Sequence, residues 1–436
     1  MRFTSAFIVS LVLCSNLVSA ADWPSWRGPA YNGSSPERNL PVSFSTTENV
    51  KWKTALPGPS AATPVIWGDR VYVSSTNADN NLLALCLDRS GGKVLWQKKL
   101  GHGAPLDSRA NQSCSSPVTD GQRVVFLYAT GDFVCFTLDG KLLWKHRISE
   151  MYGDFAFQWT FSASPTILDD RVYLPILQRD TQVRGRGGKG PGQPIPSLIV
   201  CLDAKSGKVI FEQSRTSKAR VESKESYTTL IPFEHDGREE LILAGGDCLT
   251  GHDPVSGKEL WRWGTWNPRR IPHWRLVPSA VAGDGMVLVC APKGDPVYAV
   301  KAGLKGDRSG EKAAWVSQDR KISSDVCTPA YHDGHFYVLH DKSRDLTKVV
   351  ARSGKTIWQI KLPGRALVRA SPTVADGKVY CLDHDGLAMV VNAADGKILH
   401  RAAMAAEGEE RIRSTIAVAG GNLFIRTNKH LYCIGK

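Results

Sequence analysis

The sequence lacks the spacings by which several enzyme classes announce themselves. No His-Glu-x-x-His, Cys-x-x-Cys or Gly-x-Ser-x-Gly occurs among the 436 residues, so a zinc peptidase, a dithiol oxidoreductase and a serine-hydrolase elbow have no support. Beyond residue 20 no stretch approaches the ~18 uninterrupted apolar residues that a membrane-crossing helix needs. The formal charge is +13, yet the basic residues form no helix-borne cluster and are not interleaved with aromatics. Specific nucleic-acid binding is therefore not expected. The charge reads as diffuse and solubilising, with a general preference for anionic partners such as a phosphorylated glycolipid or an acidic glycan.

Apparent matches to other motifs dissolve in context. Gly185, Gly187 and Gly190 satisfy Gly-x-Gly-x-x-Gly, but no strand-to-helix pattern surrounds them, so they are loop composition. His332 and His335 are two ligands without partners, which is too few for a metal site. Asp383-His384-Asp385-Gly386 has the residues any turn uses. No catalytic residue and no metal site are assigned.

The first twenty residues read as a cleavable signal peptide: Arg2, an apolar core from Ala6 to Leu13, and Val18-Ser19-Ala20 as the small-residue cleavage site. Cleavage after Ala20 predicts a periplasmic or secreted protein and lowers the formal charge to +12, because Arg2 is the one charged residue removed. Cys14 follows bulky Leu13, where a lipid-attachment cysteine normally follows a small residue, so lipidation is not expected. Nine of the ten cysteines remain after cleavage. Cys86, Cys135, Cys201 and Cys433 take the same place in different repeats, too far apart to bridge, and are expected to be buried packing residues.

What is present, many times over, is one sentence. Leu85-Cys-Leu-Asp-Arg-Ser-Gly-Gly-Lys-Val-Leu-Trp96 is an apolar run, a glycine turn and a second run ending on tryptophan, which predicts two antiparallel strands. It returns at 201–211, 252–261, 353–358 and 392–400, with worn copies ending at Trp144 and Trp315. A second phrase opens each repeat: a small residue and proline, a short strand, a turn with glycine and a β-branched strand. It starts at Thr63-Pro64, Ser116-Pro117, Ser164-Pro165, Thr328-Pro329 and Ser371-Pro372, and more loosely near Thr229, Ser279 and Ser414. Together the phrases make one four-stranded meander per forty-odd residues.

Trp52, Trp96, Trp144, Phe211, Trp261, Trp315, Trp358 and His400 mark the last strands, and they number eight. The repeat from Ser414 through Phe424 to Tyr432 stops after three strands, while Val50-Lys51-Trp52-Lys53 is a last strand without a repeat. Joining the two closes a ring, and the predicted fold is an all-β, eight-bladed β-propeller of four-stranded antiparallel blades over 50–436. A flexible insertion is expected at 178–197, glycine-rich and basic from Arg184 to Gly192. Residues 21–49 are expected to form an ordered arm anchored by Trp23 and Trp26.

The Asp-x-x-x-Gly-Lys-x-x-Trp pattern resembles the tryptophan-docking repeat of the PQQ-like β-propeller family, over roughly 50–436. The absence of any Trp-Asp dipeptide separates it from WD40 repeats. That family includes quinoprotein alcohol dehydrogenases and the propeller lipoprotein of outer-membrane protein assembly. The arm Trp23-Pro24-Ser25-Trp26-Arg27-Gly28-Pro29 is similar to the start of exported PQQ-like propeller proteins. The resemblance implies either a PQQ cofactor with calcium on the axis, acting on alcohols or sugars, or protein partners at a propeller face. The adjacent cysteine pair of the quinoproteins is missing here, and their calcium ligands match no particular positions. The expectation is a non-catalytic binding or assembly platform, with a PQQ-dependent oxidoreductase as the alternative.

In such a wheel the residues just ahead of each small-residue-Pro signal converge on the central channel. Here they include Trp159, His273, Trp274, Arg275, Asp325, Arg369 and Arg413. Three arginines against one aspartate suit an anionic ligand, and the tryptophans can stack on a planar one. Arg–Asp pairing across the channel is the competing explanation.

Overall fold

The computed structural model describes residues 22–103, 111–181, 183, 196–264 and 266–436. The expected signal peptide and most of the expected insertion, Arg184 to Gly192 included, lie outside the described residues.

Eight four-stranded antiparallel sheets follow one another around an axis, the fourth extended by a short parallel strand, Gly306–Asp307, beside its last strand. Blade 1 is built from Val65–Trp67, Arg70–Thr76, Asn81–Asp88 and Val94–His102. Its first three strands are almost wholly buried, because neighbouring blades cover both faces, and they read as continuous apolar runs rather than alternating ones. Blades 2 to 7 repeat the plan and end on Arg147, Ser214, Trp263, Val316, Lys361 and Ala403. Blade 8 consists of Ala417–Ala419, Asn422–Arg426 and His430–Ile434, completed by Val50–Ala55 from the other end of the chain. Trp52 lies opposite Cys433 and Thr54 opposite Leu431, so the expected closure and blade count hold.

The recurring tryptophans work between blades. Each indole Nε1 donates to a carbonyl in the last turn of the next blade: Trp52 to Arg89 at 2.8 Å, Trp96 to Leu138 at 3.0 Å, Trp144 to Ala204 at 2.9 Å, Trp315 to Ala351 at 2.8 Å and Trp358 to Ala393 at 3.1 Å. The glycine of the repeat sits under that ring. A Cβ on Gly92 would lie 2.5 Å from the Trp52 indole, and Gly92 also has φ +70°, so it meets two demands that no other residue meets together. The aspartate four residues earlier is a turn former. Asp88 Oδ1 accepts the Ser90 hydroxyl at 2.5 Å and the Gly91 N–H at 2.7 Å, and Asp203 Oδ1 accepts the Ser206 hydroxyl at 2.6 Å and the Ser206 N–H at 2.7 Å; the hydroxyls first, then the N–H groups, hold both carboxyls below their usual range.

Two positions depart from the sequence marker. In blade 4 the residue that docks on the next blade is Trp263, whose Nε1 donates to the Glu311 carbonyl at 2.9 Å. Trp261 instead turns into its own sheet, donating to Glu240 at 2.5 Å. Strand alternation gives Trp261 and Trp263 the same face, and periodicity alone could not choose between them. At the seam, where blade 8 has no last turn, His400 accepts the Phe44 N–H at 3.1 Å and lies 2.7 Å from the Phe44 carbonyl. The arm thus supplies what a turn supplies elsewhere.

The small hydroxyl residue ahead of each innermost strand, before proline in five of the eight, closes a second, inner ring. The N–H of Thr63 donates to the Ser116 hydroxyl, Ser116 to Ser164, Ser164 to Thr229, Thr229 to Ser279, Ser279 to Thr328, Thr328 to Ser371 and Ser371 to Thr415, at 2.9–3.2 Å. The Ser414 hydroxyl, donating to the Ala62 carbonyl at 2.9 Å, bridges the remaining gap. Each bond ties one blade to the next where the strands are closest to the axis.

The arm crosses the wheel on the face where the first and second strands of each blade turn. Trp23 exchanges two 2.9 Å backbone bonds with Ile66 of blade 1, Val374 of blade 7 donates to Gly33 at 2.9 Å, and Glu37 accepts the Gly420 and Gly421 N–H groups of blade 8. Arg27, with no exposed surface, donates to the carbonyls of Pro329 and Pro372 at 2.8 Å. Burial without a carboxylate partner lowers its pKa to about 9. Trp23 is fully buried, as an anchor should be, while Trp26 is only partly buried. All nine described cysteines are free, and among the described residues no helix is long and apolar enough to cross a membrane. Trp23→Ala is expected to cost ~3–5 kcal/mol of stability, and truncation to Val50 to lower the melting temperature further; melting curves unchanged by either would show the arm to be idle.

Candidate functional site

The inner ring of hydroxyls is the belt of a cavity of about 670 Å³ on the axis. All eight ring residues, from Thr63 to Thr415, face it. On the side of the arm Trp26 lines the cavity and gives this cup an aromatic floor. Its mouth is formed by the segments that enter the innermost strands. Six of the seven residues expected at the axis line it: Trp159, His273, Arg275, Asp325, Arg369 and Arg413. Trp274 does not. Its N–H donates to the Ser223 hydroxyl at 2.7 Å and its ring packs beside the cluster around Trp266 and Leu276.

Arg275 is the hub of the polar wall. Its guanidinium lies 3.5 Å from Asp325 and 3.7 Å from Glu222, and Trp159 Nε1 donates to the same Glu222 oxygen at 3.3 Å. Pairing of Arg275 with Asp325, the competing explanation, is therefore real. Burial pushes the Asp325 carboxyl up, but Arg275, the Lys293 N–H and the charges of Lys293 and Lys342 outweigh it and hold the group ionised below its usual range. Arg369 and Arg413 line the cup from the segments that lead into blades 7 and 8. No hydrogen bond or ion pair joins Arg369 to a carboxylate among the described residues, and its buried Nε has no hydrogen-bond partner.

Sequence reasoning missed Glu222, Lys293, Tyr227, Cys114 and Trp26, all of which face the cup. Glu222 lies on the 3-10 turn Val221–Lys224 and Lys293 on the turn Pro292–Gly294, neither of which directly precedes an innermost strand. Trp26 had a visible signal, its place in an aromatic arm, but that signal does not say where the arm lies.

Among the described residues no group of three His, Cys, Asp or Glu side chains could hold a metal ion. The two carboxylates of the cup, Glu222 and Asp325, are both engaged by Arg275. The arginines and the Trp159 and Trp26 rings suit a flat polycarboxylate, but the wall offers no calcium cage beside it. The residues do not fit a calcium–quinone pair.

Eight four-stranded blades with tryptophan docking and a polar axial cup define a PQQ-like β-propeller. The chain belongs to the PQQ_2 family, described as outer membrane protein assembly factor BamB, whose profile matches residues 38–179 and 294–434. The unmatched middle holds blade 4, where the docking residue has shifted. A polyvinylalcohol dehydrogenase of a Sphingopyxis species is 22% identical over 382 residues, 84% of this chain and 55% of that protein. The chain thus spans about half the length of the curated relatives it matches, or less. Among solved structures, BamB from Moraxella catarrhalis aligns with a TM-score of 0.60 at 12% identity, covering 87% of this chain and 98% of that one. The quinohemoprotein alcohol dehydrogenase of Comamonas testosteroni aligns with a TM-score of 0.65 at 12% identity, covering 95% and 81%. At these identities the structural likeness concerns the fold alone.

His384, in the turn that the sequence left to turn chemistry, is buried near this wall. Burial, then the charges of Arg413, Arg369 and Arg411, lower its pKa to about 3. Between the unfolded value near 6.5 and about 3, only the unfolded chain takes up the proton, so His384 makes the fold lose stability as pH falls through that window. His384→Gln is expected to flatten this loss, with about one proton fewer taken up on unfolding near pH 5; urea midpoints that fall equally in both proteins would refute the assignment.

Proposed function

We propose that this is an exported, non-catalytic propeller that acts as a binding or assembly platform, with the axial cup holding a planar or polycarboxylate anion. Trp159, His273, Arg275, Asp325, Arg369 and Arg413 are the ligand-binding candidates. The observation that carries this is the charge of the cup: Arg275, Lys293, Arg369 and Arg413 against Glu222 and Asp325, with Arg275 already engaging both acids. Arg369, which no carboxylate among the described residues engages, is left to attract an anion, Arg413 adds positive charge to the same wall, the hydroxyl belt provides hydrogen bonds, and Trp159 and Trp26 provide flat apolar faces. Export to the periplasm or beyond is supported by the leader-like first twenty residues and by a family described as an outer-membrane assembly factor. Protein partners at a face accord with the same description.

The alternative, a PQQ-dependent oxidoreductase acting on alcohols or sugars, is favoured by the polyvinylalcohol dehydrogenases among the sequence relatives. When bound, PQQ would supply two-electron oxidation. The missing cysteine pair weighs against it, as does the lack, among the described residues, of a cluster of metal ligands.

The two readings separate in one set of measurements. Benzene-1,3,5-tricarboxylate is expected to raise the melting temperature of the wild type, and Arg369→Ala with Arg413→Ala to weaken that binding at least tenfold while leaving the unliganded fold intact. An unchanged ligand shift in the double variant would remove the site. Protein mixed with PQQ and calcium is expected to show no dye reduction with alcohols or sugars; turnover would establish the alternative.

A further inference from the structure

We propose that the face opposite the cup carries a second binding site, a groove that takes an extended polypeptide segment bearing lysine or arginine side chains. The groove is independent of the cup. The cup is lined by segments that enter the innermost strands, whereas the groove is lined by the turns that leave them, at the other end of the same strands.

Its volume is about 790 Å³, and the arm, through Pro24 and Pro29 to Asn32, forms one wall. The facing wall runs along the turns of successive blades, from Trp67 on blade 1 to Tyr331 on blade 6. A trench shared by so many blades suits a length of chain better than a compact molecule. No Lys, Arg or His side chain lines it, although the protein carries a formal charge of +13. Four carboxylates do: Asp120, Asp169, Asp170 and Glu234.

These acids are not all spoken for. Arg123, just behind the wall, is 3.3 Å from Asp120 and 2.9 Å from Asp170. Asp169 and Glu234 are exposed, and no base lies within ion-pair distance of either among the described residues. Nearby Glu239 is pushed up by its burial and then by the charges of Asp169 and Glu234, as expected beside carboxylates that lack counter-charges. An incoming cation would relieve that repulsion.

The apolar part of the groove is aromatic and held in place. Trp67 lies against Gly121 and Tyr331 against Gly283, so closely that a Cβ on either glycine would overlap the ring. The Tyr31 hydroxyl donates to the Ile167 carbonyl at 3.1 Å, and Phe233 stacks on His235 at 6.2 Å with an 8° interplanar angle. Rings fixed in this way lose little entropy on binding, and with carboxylates beside them they form a surface for the alkyl stem and cationic head of a basic side chain.

The test uses the full-length protein and a fluorescein-labelled decapeptide of alternating lysine and alanine, read by anisotropy. Binding is expected for this peptide and not for its glutamate–alanine counterpart. Asp169→Asn with Glu234→Gln should weaken it at least tenfold, while a control pair of exposed acids elsewhere, Glu48→Gln with Glu407→Gln, should change it less than twofold. The groove variant should also keep the wild-type response to benzene-1,3,5-tricarboxylate, which reports the cup separately. Equal weakening in both pairs would reduce the effect to diffuse charge and overturn the site. So would no binding by the wild type, and spermidine binding as tightly as the peptide would overturn the polypeptide occupant.

Discussion

The pairing of Val50–Ala55 with His430–Ile434 is the contact on which every other feature depends. Without it the seven complete blades would end in two open sheet edges, and nothing would hold the innermost strands in a circle. With it, each blade is packed on both faces, and the inner ring of N–H to hydroxyl bonds comes within one bridge of continuity. The seam is also where the repeat has to improvise. His400 stands for a tryptophan, and Phe44 of the arm stands for the missing turn.

Closure creates an axis, and the arm decides what the axis becomes. An open channel of this kind would be lined by hydroxyls at its waist and charged groups at its mouth. By crossing one face and setting Trp26 in the channel, the arm turns it into a cup with an aromatic floor. The same segment forms a wall of the groove on the other side. One stretch of the arm, Pro24 to Asn32, thus separates a basic concavity from an acidic one. It is held there by buried Arg27, whose bonds reach two blades through carbonyls alone.

Much of this was legible in the primary structure because its determinants are local. A glycine at +70° beneath an indole, an aspartate capping its own turn and a serine or threonine before proline are each written within a few residues, and repetition removes the ambiguity of any single copy. Where repetition failed, so did legibility. Blade 4 has two tryptophans on one strand face, and the sequence marker picked Trp261 where Trp263 does the docking. At the axis the rule that residues before each innermost strand converge found six cup residues, yet Trp274, adjacent to two of them, packs away from it. A segment outside regular structure has no period to tell which of three neighbouring side chains turns inward.

The amino-acid sequence by itself determined the blade, the number of blades and the closure of the wheel, since strands, turns and docking pairs arise from short-range sterics and hydrogen bonds. Only the tertiary structure decided the two concavities. Glu222 beside Arg275, Trp26 beneath the hydroxyl belt and Asp169 alongside Glu234 join residues of different blades or of the arm and the wheel. Their meeting depends on where a closed ring carries each turn in space, and no spacing along the chain encodes that.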